Sequence, residues 1–341
     1  DKVGTPMKAT LLTSAEEPAS YSATTKKVPK PGPGQVLIKV EAAVINPIDA
    51  YLLTGKLPGN HHWPIVPGYE GAGVVVAAGD ASGEKLVGKR AGFSRFQEAP
   101  GDPTPDGSYA EYAITNAFQV YPIDDHVTFE QGSCSFINPL TAIGVIERAK
   151  KYKTKAMIQN AAASQLARMY AKVFKENNIP VINIVRRKEQ VDLLKNEYNA
   201  EYVLNSTDPD FDAQLAKLSE QLQPDLALDA IGGSMSGQML NHLGQNGVLI
   251  SYGQLSGEMI CGINPGSLIF KEQRLETFLV FTWMASLNDQ ESARAIADAK
   301  KLVEGVVVSK TYGLHEAKEA LAYYQANMTA GKVFLKPSLT P

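Results

Sequence analysis

The chain has 341 residues, of which 44% are apolar and 20% are charged, a balance typical of globular proteins and a length sufficient for two domains. A net charge of −3 provides no basic field, which argues against nucleic acid as a main partner. No apolar run approaches the roughly 18 residues of a membrane-spanning helix. Two cysteines, Cys134 and Cys261, are too few for a disulfide framework and indicate a reducing compartment.

The first 130 residues have the pattern of an all-β domain. Short runs of β-branched and apolar residues are separated by turns rich in glycine and proline, such as the turn at residues 31–34. We predict strands at residues 36–40, 71–76, 87–92 and 109–114. Many short strands with such turns predict a small β-barrel-like domain.

The pattern changes near Pro139, after which strands and helices alternate. We predict helices at 141–149, 164–175, 189–198 and 213–222, and strands at 156–159, 181–185, 202–204, 226–228 and 248–252. This alternation predicts a parallel, doubly wound sheet. A helix from Asp289, a strand near Val306, a helix from His315 and a strand at 333–335 are expected to return to the first domain. The predicted domains are 1–138, completed by 280–341, and 139–279.

The turn after the first strand of the predicted parallel sheet is rich in small residues. It reads Gln-Asn-Ala-Ala-Ala-Ser-Gln-Leu-Ala from position 159. Small residues let a dinucleotide pyrophosphate approach the backbone, and the following helix points its free N–H groups at the anion. Taken alone, this segment also fits a tight turn that binds nothing.

The second strand of that sheet ends in three cations, Arg186, Arg187 and Lys188, without an acidic residue. A site for NAD would place Asp or Glu there to accept from the ribose 2′-hydroxyl. Arginine forks and a lysine charge would instead hold the 2′-phosphate of NADPH. The alternative is a solvated basic helix start, although cations at a helix N-terminus oppose its dipole.

An ordered set of motifs carries a resemblance that covers nearly the whole chain. The motifs are Asn-Pro-Ile-Asp at 46–49, Val-Pro-Gly-Tyr-Glu-Gly-Ala-Gly at 66–73, Asn-Pro-Leu-Thr-Ala at 138–142, the turn at 160–164, Asp-Ala-Ile-Gly-Gly at 229–233, Tyr-Gly at 252–253, Ser-Gly at 256–257, residues 268–283 and Gly-Lys-Val at 331–333. In this order they resemble the zinc-independent branch of the medium-chain dehydrogenase/reductase superfamily, nearest to quinone oxidoreductases and 2-enoyl thioester reductases.

The resemblance implies an α/β protein with a GroES-like β-barrel catalytic domain and a Rossmann domain. It implies hydride transfer from NADPH to an activated alkene (an enone or an enoyl thioester) or to a quinone. The cofactor would contact Thr141, Ala163, Ser164, Gln165, Leu166, Arg186, Arg187, Lys188, Gly232, Tyr252, Gly253 and Lys332. We also expect a homodimer, unless a larger complex covers the surface, with residues 248–252 and 278–281 supplying the sheet edge.

The resemblance places Asn46, Tyr51 and Tyr69 nearest the nicotinamide. Asn46 would orient the cofactor or the substrate, and Tyr51 is the first candidate for protonating the product, with Tyr69 second. Water is a further candidate, because Leu57 stands where enoyl reductases have a tyrosine. A core or rim aromatic is the alternative interpretation of each tyrosine.

No metal is expected. Zinc-dependent relatives have His in place of Tyr69, a Cys near position 49 and a four-cysteine lobe in the region 93–106, where this chain has no cysteine. Catalytic zinc requires three protein ligands. His61 and His62 are adjacent and are interpreted as loop residues.

Two further hypotheses stay open. A homologue with reduced activity could serve as a structural or NADPH-sensing subunit of a larger assembly, and the fold could have a crystallin-like binding role. The chain opens at Asp1 without a methionine, as after removal of a transit peptide or in a trimmed chain. With the resemblance, this opening predicts a mitochondrial protein, and the cytoplasm is the alternative.

Overall fold

The computed structural model describes residues 2–14, 21–53, 55–57, 61–95 and 105–341. The chain forms two compact units. The first unit consists of Asp1–Pro139 and Ile296–Pro341, and the second of Leu140–Ala295. The chain returns to the first unit at Ile296, so residues 280–295, which the sequence analysis assigned to the first domain, belong to the second unit.

The strands are β1 (Pro6–Leu12), β2 (Tyr21–Lys27), β3 (Gln35–Val44), β4 (Glu70–Ala78), β5 (Arg90–Ser94), β6 (Tyr112–Asn116), β7 (Val120–Pro122), β8 (Met157–Gln159), β9 (Val181–Val185), β10 (Tyr202–Asn205), β11 (Leu226–Asp229), β12 (Val248–Ser251), β13 (Arg274–Thr277), β14 (Val308–Tyr312) and β15 (Lys332–Leu335). The helices are α1 (Pro47–Leu53), α2 (Ala81–Glu84), α3 (Phe129–Gly132), α4 (Ile137–Tyr152), α5 (Gln165–Glu176), α6 (Lys188–Tyr198), α7 (Phe211–Leu222), α8 (Ser234–Asn241), α9 (Pro265–Phe270), α10 (Val280–Ser286), α11 (Asp289–Val303) and α12 (Ala317–Ala326).

The first unit is built on a sheet with the order β14-β15-β3-β4-β5-β7, in which β6 also pairs with β3. The long central strand β3 is mostly buried and has β4 on one side and β6 followed by β15 on the other. The strand predicted at 109–114 begins later, at Tyr112, because Ala110 instead pairs with Ala9 of the separate β1–β2 hairpin. The C-terminal strand β15 completes the sheet of this unit, as the sequence predicted.

The second unit contains a six-stranded sheet with the order β10-β9-β8-β11-β12-β13, and every neighbouring pair is parallel. In chain order this is 3-2-1-4-5-6, the Rossmann arrangement, so the predicted doubly wound sheet is confirmed. Its core includes Ile158, Ile184, Leu215, Leu240 and Leu249, which are buried in one cluster between strands and helices. The topological switch lies between β8 and β11, where this fold binds nucleotides.

Two expectations about the edge of that sheet are wrong. Strand β12 is not an edge, because it is paired on both sides, with β11 and with β13. Residues 278–281 do not form a strand, since α10 begins at Val280. The edge is β13, a short strand whose residues are mostly exposed.

Helix boundaries follow local capping. The side chain of Ser164 accepts a hydrogen bond from the Ala167 N–H and starts α5. Asn199 adopts the left-handed conformation that ends α6. Helix α4 begins at Ile137 rather than at Thr141, because the first turn of a helix tolerates Pro139. Across the described ranges, no helix has both the length and the apolar character needed to cross a bilayer.

Candidate functional site

The turn between β8 and α5 lies at the carboxyl end of the first Rossmann strand. Ala161 has a φ of +47°, the left-handed region that glycine adopts most easily. The backbone then enters α5, a twelve-residue helix whose N-terminal turn carries partial positive charge. Ala163 is buried and Ser164 is the N-cap, so the predicted phosphate-binding residues do lie at a helix N-terminus.

Gln165 in this turn is buried, with 7% of its surface exposed, whereas Leu166 is half-buried. The side-chain Nε2 of Gln165 has no hydrogen-bond partner in the described part of the chain. Buried donors in native structures nearly always have an acceptor. The Gln165 donor is therefore an exception, within the turn that the sequence analysis assigns to the nucleotide.

The cations at the end of β9 are exposed. Lys188 forms an ion pair with Asp192 at 3.0 Å, one helical turn further along. The backbone N–H of Arg186 donates to the side chain of Gln190 at 3.3 Å. Neither the Arg186 nor the Arg187 guanidinium has a hydrogen bond or ion pair among the described residues, so both are available to a phosphate.

Asn160 and Asp229 join the carboxyl ends of β8 and β11, a contact that the sequence reasoning missed. The Asn160 amide donates to Asp229 Oδ1 at 2.7 Å, and its oxygen accepts from the Ala230 N–H at 2.8 Å. Asp229 Oδ1 also accepts from the Gly232 N–H at 3.0 Å. These bonds fix the two loops that border the topological switch. Polar residues that directly follow neighbouring parallel strands were the signal available in the sequence.

The loop after β12 approaches the loop after β11. A Cβ on Gly253 would lie 2.7 Å from the carbonyl oxygen of Ala230, so only glycine fits there. The ring of Tyr252 packs edge-on against Tyr170, with centroids 5.6 Å apart. Gly232 has a φ of +82°. The predicted cofactor residues Gly232, Tyr252 and Gly253 therefore lie on neighbouring loops, which follow β11 and β12.

In the first unit, Asn46 bridges two buried charges. Its amide nitrogen donates to Glu70 Oε2 at 2.7 Å, and its amide oxygen accepts from Lys332 Nζ at 2.7 Å. Glu70 Oε1 also accepts from the backbone N–H groups of Phe136 and Ile137. Burial raises the pKa of Glu70 and lowers the pKa of Lys332, and each charge opposes the shift of the other. Lys332, which was predicted to contact the cofactor, therefore donates its hydrogen bond to Asn46.

Asp49 and Tyr69 form a second buried group. The Asp49 carboxylate accepts from the backbone N–H groups of Asn46 at 2.9 Å and Tyr69 at 3.0 Å. Burial raises the pKa of Asp49 to about 7, and burial also raises the pKa of the Tyr69 phenol. The guanidinium of Arg95, which the sequence reasoning missed, lies 4.6 Å from the centre of the Tyr69 ring.

Tyr51 lies in helix α1 and is half-buried. The backbone N–H of Leu57 donates to the Tyr51 carbonyl at 3.1 Å. The position at which enoyl reductases carry a tyrosine therefore adjoins Tyr51. His61 donates to the Leu57 carbonyl at 3.1 Å, and His62 is exposed. Of the region 93–106 compared with the four-cysteine lobe, residues 96–104 lie outside the described residues.

Two protein families match the chain. Residues 32–125 match the family described as "Alcohol dehydrogenase GroES-like domain", and residues 164–299 match "Zinc-binding dehydrogenase". The first match falls within the β-rich unit and the second covers most of the Rossmann sheet. Both halves of the predicted fold class, the GroES-like domain and the Rossmann domain, are confirmed.

Curated relatives fall into two groups by name. A protein of Schizosaccharomyces pombe, provisionally named a quinone oxidoreductase, is 27% identical over 323 residues, with 91% of each chain covered. The mitochondrial enoyl-[acyl-carrier-protein] reductase of Arabidopsis thaliana is 26% identical over 267 residues, which cover 77% of this chain and 68% of the relative.

Two solved structures are similar to this chain over nearly its whole length. A protein of Mesorhizobium loti, provisionally named an NADPH:quinone reductase, is 33% identical, with a TM-score of 0.88 and coverage of 99% of this chain and 100% of that one. A mycobacterial protein solved in complex with NADPH is 25% identical, with a TM-score of 0.81 and coverage of 97% and 100%. The chain is therefore an oxidoreductase that belongs to the medium-chain dehydrogenase/reductase superfamily, in its quinone oxidoreductase and enoyl reductase branch.

Proposed function

We propose that the protein is an NADPH-dependent, zinc-independent reductase that transfers hydride to an activated alkene, as an enone or an enoyl thioester, or to a quinone. The observation that carries this proposal is the pair of exposed, uncommitted guanidinium groups of Arg186 and Arg187 at the end of the second Rossmann strand. The relatives named above and the NADPH complex of one of them support the same assignment.

Different residues of the second unit bind different parts of NADPH. Arg186 and Arg187 bind the 2′-phosphate, while the N-terminal turn of α5 and Gln165 Nε2 receive the pyrophosphate. Gly253 keeps the loop after β12 close to Ala230 and so preserves the space at the switch. NADPH, when bound, supplies the hydride.

Asn46 orients the reacting groups. Glu70 and Lys332 hold the two ends of its amide, which fixes the orientation of the side chain. An amide with both ends fixed is pre-organised, so it needs no reordering when the substrate binds. Tyr51 then protonates the product, with Tyr69 as the second candidate and water as the third. The neighbourhood of Leu57 and Tyr51 supports this order.

Zinc-independence rests on the side chains that stand at the ligand positions. Tyr69 replaces a histidine, and phenols are not among the usual zinc ligands. Both carboxylate oxygens of Asp49 already accept backbone N–H groups. Neither residue is therefore arranged to hold a metal.

The activity is tested by measuring turnover of NADPH with crotonyl thioester and with a benzoquinone, alongside a fluorescence titration of NADPH binding. Binding together with turnover of either acceptor supports the proposal. Binding without turnover of any enone, enoyl thioester or quinone favours the alternative, a homologue that acts as a structural or NADPH-sensing subunit. Absence of NADPH binding contradicts the reductase and the NADPH-sensing subunit, and leaves the structural role.

We further propose a homodimer that pairs the β13 edges of two Rossmann sheets. Exposed apolar side chains lie at and near this edge: Leu275 of β13 is 46% exposed, Leu279 beyond its end is 54% exposed, and Ile269 and Phe270 of the preceding α9 are 66% and 84% exposed. Single exposed apolar residues are common, but a cluster beside an unpaired strand indicates an interface. A larger complex that covers this edge is the alternative.

A mitochondrial location is proposed from the names of the enoyl reductase relatives, with the cytoplasm as the alternative. Fractionation of cells that express the full-length gene product tests it. Recovery with the matrix fraction supports the proposal, and recovery with the soluble cytosol contradicts it.

A further inference from the structure

Two fully buried side chains, those of Asn160 and Asp229, join β8 to β11 just beyond the last backbone pairing of these strands. That pairing ends with Leu228 opposite Gln159. The Asn160 N–H donates to the Leu228 carbonyl at 3.3 Å, and the Asn160 side chain then donates to Asp229 Oδ1 at 2.7 Å. The side chains therefore continue the connection between the strands where the backbone ladder stops.

Both ends of the Asn160 amide are engaged, so its orientation is fixed. Its nitrogen donates to Asp229, and its oxygen accepts from the Ala230 N–H at 2.8 Å. Asp229 Oδ1 also accepts from the Gly232 N–H at 3.0 Å, and its Oδ2 accepts from the Ser236 hydroxyl. This buried pair thus ties the turn after β8 to the loop after β11 and to the first turn of α8.

Ala161, which directly follows Asn160, has a strained backbone with a φ of +47°. A residue other than glycine persists in this left-handed region only where the surrounding structure imposes it. After it in the chain, the Ala162 N–H donates to the Ile184 carbonyl at 3.2 Å. The Ser164 N–H donates back to the Ala161 carbonyl at 2.9 Å. The strained turn is therefore held from both sides, by these backbone bonds and by the Asn160 amide.

The turn held in this way is the one to which the proposed function assigns the pyrophosphate. It leads into α5, whose first N–H groups have no acceptor within the helix and point toward its N-terminal end. A binding loop that already has its bound shape loses less conformational freedom when the ligand arrives, so the affinity is higher. The contacts that fix the turn therefore contribute to affinity without contacting the ligand.

We propose that Asn160 and Asp229 are positioning residues for the dinucleotide, which keep the strained turn at Ala161 in the shape that receives the pyrophosphate. Both side chains are fully buried, so they act through the turn and not by touching the cofactor. They affect the part that NADPH and NADH share, whereas Arg186 and Arg187 affect the 2′-phosphate. This inference rests on the proposed function, because it concerns the cofactor site assigned there.

Asn160→Ala removes the bridge, and fluorescence titration with NADPH and with NADH measures the effect. We expect both affinities to fall by the same factor, about tenfold or more, so that the preference for NADPH is unchanged. Asn177→Ala is the matched control and should change neither affinity. It removes a bond of 2.7 Å from the Asn177 amide to the Val173 carbonyl, at the opposite end of α5.

The outcomes separate this inference from the proposed function. If the unmodified protein binds NADPH and Asn160→Ala binds it equally well, the inference is wrong and the proposed function stands. A lower melting temperature of Asn160→Ala with unchanged affinity gives the bridge a purely structural role and also overturns the inference. A loss confined to NADPH contradicts an action on the shared pyrophosphate. An unmodified protein that binds neither nucleotide overturns the proposed function and this inference together.

Ala161→Gly distinguishes positioning from general destabilisation. Glycine adopts a positive φ without strain, so the turn no longer needs to be forced into its shape. When Ala161→Gly is added to Asn160→Ala, we expect NADPH affinity to recover by about threefold, at a temperature where both variants are folded. Absence of any recovery contradicts the role assigned to the strained turn.

Amide hydrogen exchange of the unmodified protein covers the case in which Asn160→Ala does not fold. The N–H groups of Ala162, Ala230 and Gly232 should be protected before NADPH is added, because their acceptors lie within the chain. Fast exchange that slows only when NADPH is added would mean that the cofactor orders the turn, and it overturns the proposal.

Discussion

The carboxylate of Asp49 accepts a hydrogen bond from the backbone N–H of Tyr69 at 3.0 Å, although burial raises its pKa to about 7. The bond connects α1 to the residue that precedes β4. A buried carboxylate with such a pKa changes its charge in the middle of the physiological range. The first unit therefore contains a buried carboxyl group whose ionised form is disfavoured by its burial.

Because the folded state holds this proton more tightly than the unfolded state does, stability should fall as pH rises. Between the ordinary value of 3.8 and about 7, the Asp49 contribution lowers the free energy of unfolding by up to about 1.4 kcal/mol per pH unit. In Asp49→Asn this part of the slope should disappear, although the variant loses a hydrogen bond at every pH. Urea unfolding at several pH values measures it, and parallel slopes for the two proteins would contradict the assignment.

The preference for NADPH should depend on Arg186. We expect the unmodified protein to bind NADPH at least about tenfold more tightly than NADH, or about 1.4 kcal/mol. Arg186→Ala should weaken NADPH binding and leave NADH binding nearly unchanged, because only NADPH carries the 2′-phosphate. Fluorescence titration measures both, with the exposed Arg294→Ala as control. Equal losses for the two nucleotides would rule out the 2′-phosphate assignment.

Elemental analysis of the purified protein should find no stoichiometric zinc. Tyr69 stands where zinc-dependent relatives have a ligand, and catalytic zinc requires three protein ligands. A chelator should change neither the melting temperature nor NADPH turnover. One tightly held zinc ion per chain would overturn the zinc-independent assignment.

Light scattering at micromolar concentration should give the mass of a dimer. Leu275→Asp places a charge on the exposed edge strand β13 and should produce a monomer. Phe118→Asp is the matched control, since Phe118 is 70% exposed in the first unit, and it should remain dimeric. A monomeric unmodified protein is incompatible with the proposed interface.

Turnover should depend on the hydroxyl of Tyr51. If this group protonates the product, Tyr51→Phe should lower the turnover number by about 10²-fold or more, with unchanged NADPH affinity. Tyr323→Phe, which removes a hydroxyl bonded to Ser309 at 2.9 Å, is the control and should turn over normally. An unchanged rate in Tyr51→Phe would remove Tyr51 from the mechanism and direct attention to Tyr69 and water.

Local patterns in the sequence were sufficient for most of the Rossmann unit. The strand predicted at 181–185 has the observed bounds, because a run of apolar and β-branched residues is followed directly by charged ones. Short helices and strands were harder to predict from the sequence. Helix α1 has seven residues and starts at a proline, and β13 has four residues that are mostly exposed, so neither shows a clear period.

Candidate site residues could be named from the sequence where they follow strand ends, whereas their long-range contacts could not. Arg186 and Arg187 were identified because they directly follow β9. Lys332 was recognised in a motif, but its bond to Asn46 spans 286 positions, and no local pattern specifies such a pair.

The pairing of β15 with β3 also determines the order in which the two units can fold during synthesis. Phe334 and Leu335 pair with Val44 and Ala43, so the first unit lacks a strand until the ribosome has passed position 335. The second unit is contiguous in sequence and can fold as soon as it emerges. The nascent chain thus carries an incomplete sheet in its first unit up to that point, and a premature stop codon shortly before position 332 would leave that sheet open even though the second unit had been made in full.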